Sequence, residues 1–287
     1  MILREMDLPP GWYPRERGKI EEFLGPFLKN DHSEKGCAAI APHAGWYYSG
    51  LTAALAVSSL DPEAGTVIVI GGHLPERMPV LMAEEDGVKT PLGTMKIDIE
   101  LREELRKLLK PKPDQYSDNT VEVLLPMVHF YFPKAEILWL RFPAGLSSFS
   151  AGGMLADAAA SIGRRITVLA STDLTHYGAN YWYSPKGSGK AALDWVKNVN
   201  DYNFIGAVLE GEPSQVLKRA DEDFSACSAG AVLGTLGFAA KKAKKAKLLD
   251  YRTSADAGRD LNDSRLNDPD YSAVPDSFVG YAAISFA

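Results

Sequence analysis

Three stretches of this chain are apolar at nearly every position and rich in β-branched residues: TVIVI at 66–70, EILWL at 136–140 and ITVLA at 166–170. A strand with one wet face alternates polar and apolar residues. Continuous apolar runs of this length belong to strands covered on both faces. Similar runs give expected strands at Cys37–Pro42, Thr66–Gly71, Val80–Ala83, Ala135–Phe142, Arg165–Ser171, Lys247–Thr253 and Ser277–Phe286. Between them lie helical patterns at Glu16–Leu28, Leu51–Leu60, Asp98–Leu109, Thr120–Phe132, Ser148–Ile162, Ser188–Leu209, Ser214–Ala220 and Gly230–Lys245. Strand and helix in alternation predict an α/β fold with a mainly parallel central sheet flanked by helices. With no repeat of fixed period and no low-complexity linker, residues 1–287 are expected to form one domain.

Composition narrows the partners. The net charge of -6 argues against a nucleic-acid partner, because phosphate binding needs a concentrated basic surface. The basic run KKAKKAK (Lys241–Lys247) is expected to be a solvated helix end, where positive charge complements the dipole. PKGSGKAAL (Pro185–Leu193) departs from a phosphate loop: Ser184 takes the first glycine position and Ala191 follows the lysine. Two cysteines, Cys37 and Cys227, make no disulfide framework, so a reducing, cytoplasmic setting is expected. No signal-peptide stretch and no run of about 18 apolar residues is present, so no membrane association is expected either.

The chemistry is in the histidines. His43 follows CAAIAP, His73 follows TVIVIGG and His176 follows ITVLASTDLT. Taken singly, each has a packing explanation: a helix cap at His43, a turn at His73. Three at three strand ends are another matter. In open α/β sheets ligands bind beyond the carboxyl ends of the strands, and parallel strands would carry all three to one edge. Asp173, three residues before His176, is placed to orient that ring and raise its basicity. Cys227 lies in a small-residue turn before a helix, where a thiolate is stabilised. Two imidazoles and a thiolate would leave open positions on a metal. His32 sits in a polar loop, and His129 reads as a satisfied core histidine.

These segments resemble, in order and nearly end to end, the Memo-like family, whose fold is similar to LigB-type class III extradiol dioxygenases. The matching segments are GWYPRERGKIEEFL (Gly11–Leu24), APHAGWYYSG (Ala41–Gly50), VIGGHLP (Val69–Pro75), TPLGTMKID (Thr90–Asp98), ASTDLTHYG (Ala170–Gly178) and VGYAAISF (Val279–Phe286). The resemblance implies that His43, His73 and Cys227 ligate a divalent metal. Iron(II) is the expected ion, with zinc or copper as alternatives. It also implies that His176 is the acid/base histidine with Asp173 beside it, and that Asn119, Glu122, Trp46 and Tyr47 line a substrate pocket. Asn119 stands where the family carries a histidine, Leu124 replaces a polar residue, and Ser228 follows the cysteine in place of glycine.

The implied activity is that of a non-haem iron dioxygenase or other oxidoreductase acting on a small, aromatic diol-like substrate. A metal- or cysteine-dependent hydrolase is the alternative enzyme. A scaffold that holds a peptide in the same cleft is the non-enzymatic one, and homo-oligomers fit any of these.

Overall fold

The computed structural model of the protein describes residues 1–29, 35–257 and 274–287. His32 lies outside the described residues. The chain opens with β1 (Leu3–Arg4) and α1 (Arg17–Leu24), followed by β2 (Ala38–Ala41), α2 (Trp46–Ser58) and β3 (Thr66–Leu74). A peripheral section holds β4 (Leu81–Met82), β5 (Gly87–Thr90), β6 (Gly93–Lys96), α3 (Ile99–Leu109) and β7 (Lys112–Pro113). Two short helices, α4 (Asn119–Glu122) and α5 (Leu125–Tyr131), lead to β8 (Glu136–Pro143), α6 (Ser147–Ser161) and β9 (Ile166–Ser171). After β10 (His176–Gly178) come four helices: α7 (Gly189–Trp195), α8 (Asp201–Glu210), α9 (Pro213–Glu222) and α10 (Ala229–Lys241). The last strands are β11 (Ala246–Thr253) and β12 (Ser277–Phe286).

The main sheet runs β10-β12-β2-β9-β3-β8-β4-β7, with β11 also paired to β12. Its centre, β2-β9-β3-β8, is parallel, and these are the strands with continuous apolar sequence. The antiparallel pairs lie outside this centre: β12 runs against β2, β10 and β11, and β4 runs against β8. Register aligns Ile40, Ala170, Ile70 and Leu140 across the four central strands, so their carboxyl ends finish at one level. Helices α6 and α10 pack on each other, with α10 also against β3, β8 and β9; α2 packs on β2, β11 and β12. A large apolar core fills the layers, and a smaller cluster around Tyr177, Val196 and Phe278 supports β10.

Several elements differ from expectation for identifiable reasons. Helix α2 begins at Trp46, five residues before the expected start, because the Gly45 junction already turns the chain into helix. The expected helix at Thr120–Phe132 breaks between α4 and α5, where Pro126 takes an early position of the second helix and cannot donate to the first. The expected helix at Ser188–Leu209 passes through a π-turn at Val196–Asn200. The β5–β6 hairpin, closed at Thr90 and Gly93, was not anticipated. Of the lysine run, only Lys241 lies within α10, and the run ends in β11. Among the described residues, no helix is long and apolar enough to cross a membrane.

Candidate metal centre

The parallel register sets the geometry of the site. β2 and β9 are adjacent and end together, so Pro42–His43 and Ser171–Thr172 leave the sheet side by side. His43 is 1% exposed, and its Nδ1 lies 2.8 Å from Ser171 Oγ. Its backbone N–H donates to Asp173 Oδ1 at 2.7 Å. His73 comes from β3, one strand further on, with φ of 61°, in the left-handed region. Its Nδ1 faces Asp118 Oδ2 at 3.5 Å. Cys227 arrives from the opposite direction, on the turn into α10; its backbone N–H donates to Asp173 O at 3.2 Å.

Close approach at this point depends on Gly72. A Cβ there would lie 2.3 Å from the side chain of Ser228, the residue next to Cys227. A side chain there would force Ser228 or the Gly72 backbone to shift. Gly71 plays a related part, since a Cβ would lie 2.7 Å from Thr120 Oγ1.

His43, His73 and Cys227 each offer one ligand atom, and the three atoms lie within 4.8 Å of one another. Cys227 Sγ is 3.2 Å from His43 Nε2. Burial opposes charge on the thiol, but the two imidazoles outweigh it and hold Cys227 well below the ordinary thiol range. Burial likewise opposes charge on the rings. Asp173 and the thiolate raise His43, and Asp118 and the thiolate push His73 up to about 10. The cluster therefore favours an anionic sulfur facing two rings whose other nitrogens are held by protein groups. That donor chemistry fits a divalent cation: a thiolate and two imidazoles turned inward, with outer partners fixing ring orientation. Cys37, by contrast, is raised by burial and touches none of this.

Beside the cluster lies a cleft of about 490 Å³. Asn119, Asp173, His176 and Tyr47 line it. His176 Nδ1 sits 3.0 Å from the Leu174 carbonyl, which can only accept. Nδ1 therefore donates to that carbonyl, which fixes the orientation of the ring. This corrects the expected pairing. Asp173 hydrogen-bonds the backbone of His43, and the group that orients His176 is the Leu174 carbonyl. Asn119 Nδ2 donates to the His43 carbonyl at 2.9 Å, so it braces the ligand strand.

Two expected pocket residues are elsewhere. Trp46 is 4% exposed, packs on Phe23 and Tyr13, and donates its indole N–H to Val123 O at 3.0 Å. Its place in the cleft is taken by Trp12, Tyr48, Tyr181 and Tyr281. Glu122 faces away from the cleft. It accepts from the backbone of Asp7 and Leu8 and from the Tyr13 hydroxyl at 2.7, 2.8 and 2.6 Å. This clasp fixes the segment that carries Trp12, whose carbonyl accepts from Trp46 N–H at 2.8 Å. His129 pairs with Thr90 Oγ1 at 2.6 Å, as a satisfied histidine should.

Sequence reasoning missed the support behind His73. Asp118 caps α4 and bonds Arg141 Nη1 at 2.5 Å, and Arg141 also bonds Asp114 at 2.8 Å. Arg141 is 1% exposed in the middle of an apolar strand. The signal was there: a lone arginine in EILWLRFP has to be paired if it is buried.

The family model described as Memo-like protein matches residues 4–266. The chain belongs to the Memo-like family. A MEMO1 family protein of Pyrococcus abyssi is 30% identical over 92% of this chain and 91% of its own. One from Pyrococcus horikoshii is 30% identical over 95% of both. Among solved structures, an uncharacterized Escherichia coli K12 protein aligns with a TM-score of 0.45 and 12% identity, over 87% of this Memo-like chain and 99% of its own.

Proposed function

We propose that this Memo-like protein binds iron(II) through His43, His73 and Cys227 and acts as an oxidoreductase, a dioxygenase, on a small aromatic diol-like substrate. The observation that carries the reading is the convergence of three ligand atoms within 4.8 Å at the sheet edge, next to a cleft lined by His176. Bound iron(II) would supply a redox-active Lewis acid with open positions for dioxygen and a chelating diol. The protein's own groups supply the rest. His176, held through Nδ1 by the Leu174 carbonyl, lines the cleft and would take a proton from a substrate hydroxyl at Nε2. Tyr47 and Tyr181 offer ring faces for an aromatic nucleus. Asn119 stiffens the His43 turn and cannot itself move a proton.

The test is elemental analysis of anaerobically purified protein, followed by oxygen uptake with a panel of catechols. Near-stoichiometric iron that disappears in His43→Ala and Cys227→Ser supports the reading. Unchanged metal content in both variants would overturn the ligand assignment.

One distance favours a second reading. The 3.2 Å separation of Cys227 Sγ from His43 Nε2 is that of an activated cysteine pair, which would suit a thiol-dependent hydrolase. Under that reading, metal removal leaves the alkylation of Cys227 fast and any activity intact. Under the iron reading, bound metal protects the thiol and chelation exposes it.

A further inference from the structure

The walls of the cleft carry a charge pattern that the metal centre does not explain. Five aromatic side chains line it: Trp12, Tyr47, Tyr48, Tyr181 and Tyr281. Asp173 adds a carboxylate. Among the described residues, no lysine or arginine does so. A second cavity of about 330 Å³ shares His176 and Tyr181 with the first, reaches Cys227, and is also without a lysine or arginine in its lining. Its rim displays Trp182 and Phe224, 96% and 62% exposed, both at positive φ. Bulky aromatics held in left-handed backbone are costly and persist where the surroundings demand them.

Arg15 and Arg141 are engaged elsewhere. Arg15 stacks on Tyr13 and bonds the Leu8 carbonyl, and Arg141 is held by Asp114 and Asp118. An anionic group lodged away from the metal would thus lose its water without gaining a lysine or arginine partner, and it would face Asp173. A cationic group gains twice: from aromatic faces, whose quadrupoles attract it, and from the carboxylate.

We propose that the cleft selects an aromatic ligand bearing an amine, with the ammonium among the tyrosine rings and Asp173, and rejects counterparts bearing a carboxylate or phosphate. The orientation, ring toward the metal cluster, rests on the function proposed above; the charge preference does not.

The experiment compares pairs that share a ring and differ in charge, by calorimetry on the full-length protein. Tyramine against 4-hydroxyphenylacetate tests the cleft without chelation, and dopamine against 3,4-dihydroxyphenylacetate tests it with chelation. Each amine is expected to bind at least tenfold more tightly than its acid. The preference for tyramine should survive in the His43→Ala variant. Asn180→Lys, at the exposed rim of the cleft, should narrow or invert the preference. Acids binding as tightly as amines, or no binding by either class, would overturn the proposal. If metal loading fails while tyramine still wins, the iron reading falls and this one stands. If metal loads normally and the acids win, this one falls alone.

Discussion

The two flanks of the histidine–cysteine cluster handle buried charge in opposite ways. On the His73 flank, Asp118 faces the imidazole and is tied to Arg141, which also holds Asp114. Despite burial, His73 and Arg141 push the Asp118 carboxyl far below its usual range. On the His43 flank, no arginine is involved. Ser171 meets the ring, and behind the His176 loop the buried Asp201 is met by the backbone and hydroxyl of Thr175 and by the Tyr251 hydroxyl at 2.7 Å. Hydroxyls do not neutralise a carboxylate, and burial pushes Asp201 up to about 6. On the His73 flank the carboxylate is backed by an arginine; on the His43 flank Asp173 Oδ2 faces Nε2 at 3.8 Å with no arginine behind it, and Asp201 is met by neutral donors. The first should be costly to break, the second sensitive to pH.

The sharpest way to break this comparison is at the ligands themselves. His43→Ala should abolish metal binding, because that ring is buried and its Nδ1 is held by Ser171. His73→Ala should leave weaker, measurable binding, since its ring is 38% exposed and water can replace it. Equal loss in both, by metal titration, would show that the flanks are equivalent.

Arg141→Met should destabilise the protein by about 3–5 kcal/mol in urea unfolding, because the buried Asp114 keeps only the Trp139 indole N–H and the more distant Arg4. Asp201 gives the pH test. Its folded pKa of about 6 lies above the ordinary 3.8, so the folded state binds the extra proton. Its contribution to stability is therefore full below about pH 4 and is lost as pH rises through 6. Relative to Asp201→Asn, the wild-type protein should lose on the order of 2–3 kcal/mol across that window. Asp118 has the opposite sign: its contribution is present at neutral pH and is lost as pH falls below the ordinary carboxylate range.

A smaller effect is expected from Asp118→Asn, which keeps the shape of the His73 support but removes its charge. Metal affinity should fall roughly 10–100-fold. Smallest is the backbone term. In chelator-treated protein His73→Gly should exceed His73→Ala in stability by roughly 1 kcal/mol, because alanine retains the left-handed cost and glycine does not.

The strand-end histidines and the central strands were legible because apolar period and sheet topology are local and general properties. The Glu122 clasp was not, because it spans more than 100 residues, from Asp7 and Leu8 to Glu122. Nor was the direction of Trp46. Starting α2 five residues early turns Trp46 into the core and leaves Tyr47 and Tyr48 facing the cleft, and a helix frame cannot be read from aromatic content.

The sequence by itself determined that the apolar strands would be buried in a mainly parallel sheet and that three of them would be followed by histidines, since burial follows from residue type. Only the tertiary structure decided which of those histidines meet Cys227, 184 residues from His43, and which stands apart in the cleft. That choice depends on a glycine narrow enough to admit Ser228, a buried arginine that fixes Asp118, and a backbone carbonyl that turns His176. Each is a contact between distant segments, and contacts of that kind are set by packing.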